Sequence, residues 1–280
     1  MAEIVGIFAA SHAPPIVRTW DAISDKSRGG LEFAFGELRR RLEALQPDAI
    51  VMIGADHWVN FFLDNMPSMC LGIGKEHGGP PEPWLAHYPH PTMRGHPELA
   101  KHLARECFTE GFEPSVSHQM RLDHAFCVPL LKMGLDPLPP IVPIVINALE
   151  PPLPTMARCL AFGEVLARVV KRLQAPTRVA LFATGGLSHA VGEALMGDVD
   201  EAFDRTCLDL FKAGDSKALL GFLSDERIAM AGNGAAEMRF WMAAHGAAGE
   251  RGFELIHYDP VPEVFTGCGF AEWRLEGSAV

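Results

Sequence analysis

Apolar residues fall along the chain in two alternating rhythms. Short runs with almost no polar interruption, Glu3–Ala10, Ala49–Gly54, 140–147 and Arg178–Thr184, read as strands covered on both faces. Between them the period lengthens. Leu31, Phe35, Leu38, Leu42 and Leu45 recur at steps of three and four over 28–45, and Met156, Leu160, Gly163, Leu166 and Val170 do so over 154–173. Each set makes one face of a helix. Further helices are expected over 97–111, 128–133, 198–213, 216–224 and 235–245. In the last, Asn233 is a candidate N-cap and Glu237 falls in the first turn. Weaker strands are expected within 61–74, 113–117 and 253–257, and the tail to 280 reads as turns. Pro143 suggests an edge strand or a bulge. The stretch 75–97, with Gly78-Gly79-Pro80-Pro81, Pro83, Pro89, Pro91 and His77, His87, His90 and His96, reads as one long loop with surface histidines. No internal repeat or linker interrupts the alternation. It predicts a single α/β domain over 1–280, with a mostly parallel central sheet flanked by helices.

In such sheets ligands bind beyond the carboxyl ends of the strands. Three of the predicted strands run into a histidine: His12, His57, and His189 at the end of Thr184-Gly185-Gly186-Leu187-Ser188-His189. One shared site is the economical reading. Two imidazoles and a carboxylate hold a metal on one face and leave the other open, the arrangement of ferrous oxygenases. His12 and His57 with Glu237 supply such a set, and Asp56, Asp123 and Glu263 compete for the acidic place. Each residue also has a plain role open to it. A histidine after a strand often serves only as a hydrogen-bonded group, Glu237 suits a helix N-terminus, and Asp123 before His124 suits a helix cap. Gly185-Gly186 lacks the lysine of a phosphate loop, and Gly-Gly-Leu-Ser-His is not the G-x-S-x-G turn of hydrolases.

Composition narrows the classes. The net charge is −11, so a nucleic-acid partner is not expected; the basic run Arg39-Arg40-Arg41 lies on the predicted helix as a solvated face. No apolar run approaches the roughly 20 residues that span a bilayer, so no membrane partner is expected. Met1-Ala2-Glu3 shows no secretory start, and the six cysteines are scattered with no CxxC pair. Both point to a reducing cytoplasm.

Several separate motifs, in order, resemble the class III (LigB-type) extradiol ring-cleavage dioxygenases, and most of all their branch acting on 2,3-dihydroxyphenylpropionate. They are Ser11-His12-Ala13-Pro14, Ala55-Asp56-His57-Trp58, Cys70-Leu71-Gly72-Ile73-Gly74, Leu122-Asp123-His124-Ala125-Phe126, Pro143-Ile144-Val145-Ile146-Asn147, Gly185-Gly186-Leu187-Ser188-His189, and the segments 231–241 and 258–270. The resemblance implies a LigB-like fold and an Fe(II) centre held by His12, His57 and Glu237. It implies His189 as the active-site base and His124 as a second acid/base group. A catechol-type substrate, dioxygen and a homo-oligomer follow from it. The stretch 75–97 looks longer than its counterpart and the interval from His189 to Glu237 shorter, which bears on substrate specificity. The alternatives are a LigB-like metal-binding protein without oxygenase activity and a zinc-dependent hydrolase, which would use a metal-bound water.

Overall fold

The computed structural model describes residues 1–275; the turns expected at 276–280 lie outside them. The strands are β1 (Glu3–Ala10), β2 (Ala49–Gly54), β3 (Met69–Gly72), β4 (Glu76–Gly78), β5 (Thr92–Arg94), β6 (Ser115–Ser117), β7 (Ile141–Ile146), β8 (Arg178–Thr184), β9 (Phe253–Val261) and β10 (Thr266–Trp273). The helices are α1 (Pro15–Arg18), α2 (Asp25–Leu45), α3 (Pro97–Thr109), α4 (His124–Met133), α5 (Met156–Arg172), α6 (Glu201–Ala213), α7 (Ser216–Phe222), α8 (Asp225–Met230) and α9 (Met238–Ala247).

Eight strands form one sheet in the order β6-β3-β7-β2-β8-β1-β10-β9. Its centre, β7-β2-β8-β1, is parallel throughout, and β3-β6 is parallel as well. The remaining pairings, β3-β7, β1-β10 and β10-β9, are antiparallel. Successive side chains of a strand point to opposite faces, and here both faces are buried. Ile7, Val51 and Leu181 join one core with Phe162 of α5 and Trp241 of α9; Phe8, Met52 and Phe182 join the other with Phe35 of α2 and Phe126 of α4. That double burial is why these strands carry continuous apolar runs.

Four expectations are corrected. β7 lies inside the sheet, between β3 and β2, so Pro143 marks neither an edge nor a bulge. The ladder with β3 reaches only Ile144, so the missing N–H of Pro143 falls just past its end. The loop 75–97 contains the hairpin β4-β5, and His77 within it is buried. The turn-rich tail is largely strand: β10 lies beside β1. Its glycines answer close contacts, since a Cβ on Gly267 would collide with Asp204 and one on Gly269 would press on Leu187 and Trp241. Asn233 begins a 3-10 turn rather than capping a helix, and its side chain holds the backbone N–H and carbonyl of Val191 instead.

Helices α5 and α9 pack backbone to backbone. A Cβ on Gly163 would meet the Ala243 carbonyl, and one on Gly246 the Leu160 carbonyl. This approach sets the position of α9 and, through it, of Glu237 at its start. Gly163→Ala is expected to destabilise the protein by about 1–3 kcal/mol through overpacking, read as a lowered urea midpoint; an unchanged midpoint would show that the helices can separate freely.

Candidate active site

β2, β8 and β1 are neighbours, so the loops leaving their carboxyl ends meet. His12 follows β1 and is buried. Its Nδ1 lies 3.2 Å from Thr184 Oγ1, and its Nε2 faces Glu237 Oε1 at 3.1 Å. His57 follows β2. Its backbone N–H donates to Asp123 Oδ2 at 2.6 Å, and its Nδ1 lies 3.1 Å from the same oxygen. That contact turns Nε2 toward Glu237 Oε1, 3.6 Å away.

The third loop needs its glycines. Gly185 and Gly186 hold φ of +89° and +64°, and a Cβ on Gly185 would strike the Glu237 carboxylate. With none there, the Gly186 N–H donates to Glu237 Oε2 at 2.8 Å, and Trp241 Nε1 donates to the Gly185 carbonyl at 2.9 Å. His189 closes the loop. Its Nδ1 lies 3.0 Å from the Leu187 carbonyl, which leaves Nε2 facing Glu237 Oε2 at 3.9 Å. His124 opens α4, and both its N–H and its Nδ1 lie within 2.9 Å of Glu82 Oε1. Its ring stands 4.1 Å from that of His57 and 5.5 Å from that of His12.

All five sequence-predicted residues therefore converge. The competing acids each have backbone partners. Asp56 gathers the N–H groups of Val59, Asn60 and Phe61, and Glu263 accepts from Ser24. Asp123 caps α4 through the Ala125 N–H while it orients His57. Two donor groupings are close enough for one cation: His12, His57 and His124, and Glu82, Asp123 and His124. Glu237 stands outside both, yet its Oε1 reaches His12 and His57.

The charges are interdependent. Burial opposes ionisation of Glu237, but His12 above all, with His57 and His189, holds its pKa well below the carboxylate range. Burial likewise opposes a charge on His57, but Asp123 and Glu237 outweigh it and raise its pKa to about 10. His124 and His189 lie lower than ordinary imidazoles, burial being the main cause in each. They are neutral near pH 7. A cavity of about 260 Å³ opens over these groups, lined beyond them by Ala13, Pro14, Pro15, Val191, Met196 and Val264, with Arg18 at its edge.

The sequence reading missed Glu82 and Asp204. Glu82 sits in the proline-rich stretch with no motif to mark it. Asp204 is buried on α6, a helix that showed only its apolar period. Its Oδ1 accepts from the Ser188 N–H at 2.8 Å, and its Oδ2 accepts from Ser188 Oγ at 2.9 Å and Tyr258 OH at 2.8 Å. It thus ties the residue before His189 to α6 and β9.

The comparisons agree with one another. The family model described as the catalytic LigB subunit of aromatic ring-opening dioxygenase matches residues 6–269. A Klebsiella pneumoniae protein named 2,3-dihydroxyphenylpropionate/2,3-dihydroxicinnamic acid 1,2-dioxygenase is 29% identical, covering 92% of this chain and 95% of its own. Proteins of the same name from Escherichia coli and Burkholderia vietnamiensis are 28% and 27% identical, covering 95% and 82% of this chain and 97% and 86% of theirs. A crystal structure of an uncharacterized Escherichia coli K12 protein aligns with a TM-score of 0.58 at 14% identity, over 95% of this chain and 99% of that one, which bears on the fold alone.

Burial raises the Asp204 pKa to about 6 despite its three donors. The unfolded chain ionises near the ordinary value of about 4. The native state therefore holds the proton longer, and stability falls as pH rises from about 4 to about 6. Asp204→Asn is expected to lose that part of the slope and, with one acceptor oxygen for three donors, about 1–3 kcal/mol of stability. Urea midpoints measured across this range test both, and an unchanged slope would contradict the assignment.

Proposed function

The chain belongs to the LigB family of catalytic subunits of aromatic ring-opening dioxygenases, and on that footing we propose that His12, His57 and Glu237 hold Fe(II) while His189 and His124 manage the protons of a bound catechol. The enzyme is an extradiol dioxygenase that opens a catechol-type ring with dioxygen. The observation that carries the site assignment is the buried Glu237 carboxylate, whose Oε1 is shared by two imidazoles on adjacent strand ends. The donor set fits a divalent ion in charge as well as in spacing. Glu237 and Asp123 place two negative charges among the imidazoles, which a divalent cation would balance. Two imidazoles and one carboxylate suit iron(II). Bound iron would hold the two catechol oxygens beside dioxygen and supply the one-electron steps that a closed-shell ring needs to react with it.

The protein's own groups do the rest. His189 is neutral and partly buried, with Nδ1 tied to the Leu187 carbonyl, so its free Nε2 is placed to take a hydroxyl proton from the incoming catechol. His124 is fixed by Glu82 in the same sense, and its ring beside His57 brings a second imidazole to the site, able to return a proton as the ring opens. Apolar walls at Ala13, Pro14 and Val264 exclude water from the ring.

The three-imidazole grouping His12, His57 and His124 supports the hydrolase as second reading, since such a set also holds catalytic zinc. The six buried free thiols support a reducing cytoplasm. Exposed Trp58, Phe62 and Leu63 offer an apolar face to a second copy, which supports a homo-oligomer.

Three outcomes are expected. Glu237→Ala and His57→Ala lose bound iron, whereas His189→Ala keeps it and turns over about 10²–10⁴-fold more slowly; equal iron loss in all three would overturn the roles. Iron uptake at pH 7 releases about one proton, because His57 is charged until the metal arrives; titration calorimetry in buffers of different ionisation enthalpy reads it, and no release contradicts it. The iron-loaded protein consumes dioxygen with a panel of catechols. Zinc after anaerobic purification, with hydrolysis and no oxygen uptake, would establish the hydrolase instead.

A further inference from the structure

The cavity over the histidines has two polar ends. One is the site already described. The other is Arg18, the last residue of α1, six residues after His12. Between them the lining is apolar, and Val191, Met196 and Phe265 keep exposed apolar atoms at the opening.

Arg18 has no carboxylate partner among the described residues. The acids of the short turns beside α1 are engaged: Asp21 stands 3.9 Å from Arg28, and Glu263 accepts from Ser24. Glu82, on the other flank, is bound to His124. The one contact given for the Arg18 guanidinium is the Trp84 ring, 5.8 Å from its centroid, and that ring is in turn 5.8 Å from His124. The cation is thus set one indole ring beyond the imidazole that flanks the substrate. Its place is bound to the site by covalent structure, because Pro14 and Pro15 stiffen the turn between His12 and α1. An arginine carries its charge at every working pH and offers a planar fork that fits a carboxylate. In a chain of net charge −11, a cation facing a cavity is also what an anionic substrate needs in order to enter.

We propose that Arg18 is the specificity-determining residue of this pocket, reading a carboxylate at the end of a short arm on the catechol. The arm runs from the histidines along Ala13, Pro14 and Pro15 to the guanidinium at the edge of the cavity. Its methylenes lie on the apolar wall while the ring is held at the histidines. This assignment rests on the ring-opening reading above. Arg18 touches neither the metal ligands nor the reacting carbons, so it acts on the choice of substrate.

The test compares two catechols substituted at the same ring carbon, one with a carboxyethyl arm and one with a propyl arm. Each is measured with the iron-loaded wild-type protein, Arg18→Gln and Arg18→Lys. Oxygen uptake gives kcat/KM, and anaerobic titration gives the equilibrium dissociation constant. The wild type is expected to prefer the carboxylated compound. In Arg18→Gln the ratio of the two compounds falls by about 10- to 100-fold in both measurements, the range for losing a charge-assisted hydrogen bond. Arg18→Lys retains part of the ratio, since it keeps the charge and loses the fork. A wild type that prefers the propyl compound, or a ratio that Arg18→Gln leaves unchanged, overturns the proposal. Failure of the wild type to open either ring would count against the reaction instead, and the anaerobic binding ratio would still decide the role of Arg18.

Discussion

The buried carboxylate of Glu237 is the constraint that organises this structure. Burying an isolated carboxylate costs on the order of several kcal/mol unless charges and donors surround it. Here His12, His57 and the Gly186 N–H surround it, each supplied by a different strand end. The adjacency of β2, β8 and β1 is therefore a requirement of the site as well as of the sheet. The glycine pair after β8 follows from the same need, because only a residue without a Cβ lets the backbone come up to the carboxylate. The close packing of α5 on α9 fixes the fourth side.

A second layer decides what each imidazole can do. Thr184, Asp123, Glu82 and the Leu187 carbonyl each engage one Nδ1, so the Nε2 atoms of His12, His57 and His189 turn inward. Which nitrogen is free is set by the bond the other makes. The same layer divides the histidines into two kinds. His57, between two carboxylates, is cationic without a metal, while His124 and His189 are neutral and available to move protons. Histidines that look alike in sequence thus separate through their neighbours.

Much of this was legible in the chain. The continuous apolar runs marked the parallel centre of the sheet because its strands are covered on both faces, and the strand-end rule then gathered His12, His57 and His189. Choosing Glu237 among four acids needed family resemblance, since its place depends on a turn whose geometry no spacing reveals. β10 was hidden because its glycines serve contacts with Asp204 and Trp241 and imitate turn chemistry. Glu82 and Asp204 were invisible for a related reason: each acts across a long separation in sequence, on His124 and on Ser188, and nothing local announces it. The fold was read from periodicity, whereas the supports of the site are purely tertiary.

The most direct test is anomalous diffraction at the iron edge from crystals of the iron-loaded protein. A single iron is expected about 2 Å from His12 Nε2, His57 Nε2 and a Glu237 oxygen, with His124 and His189 facing it but unbound. Iron held by His12, His57 and His124, with Glu237 outside its reach, would contradict it.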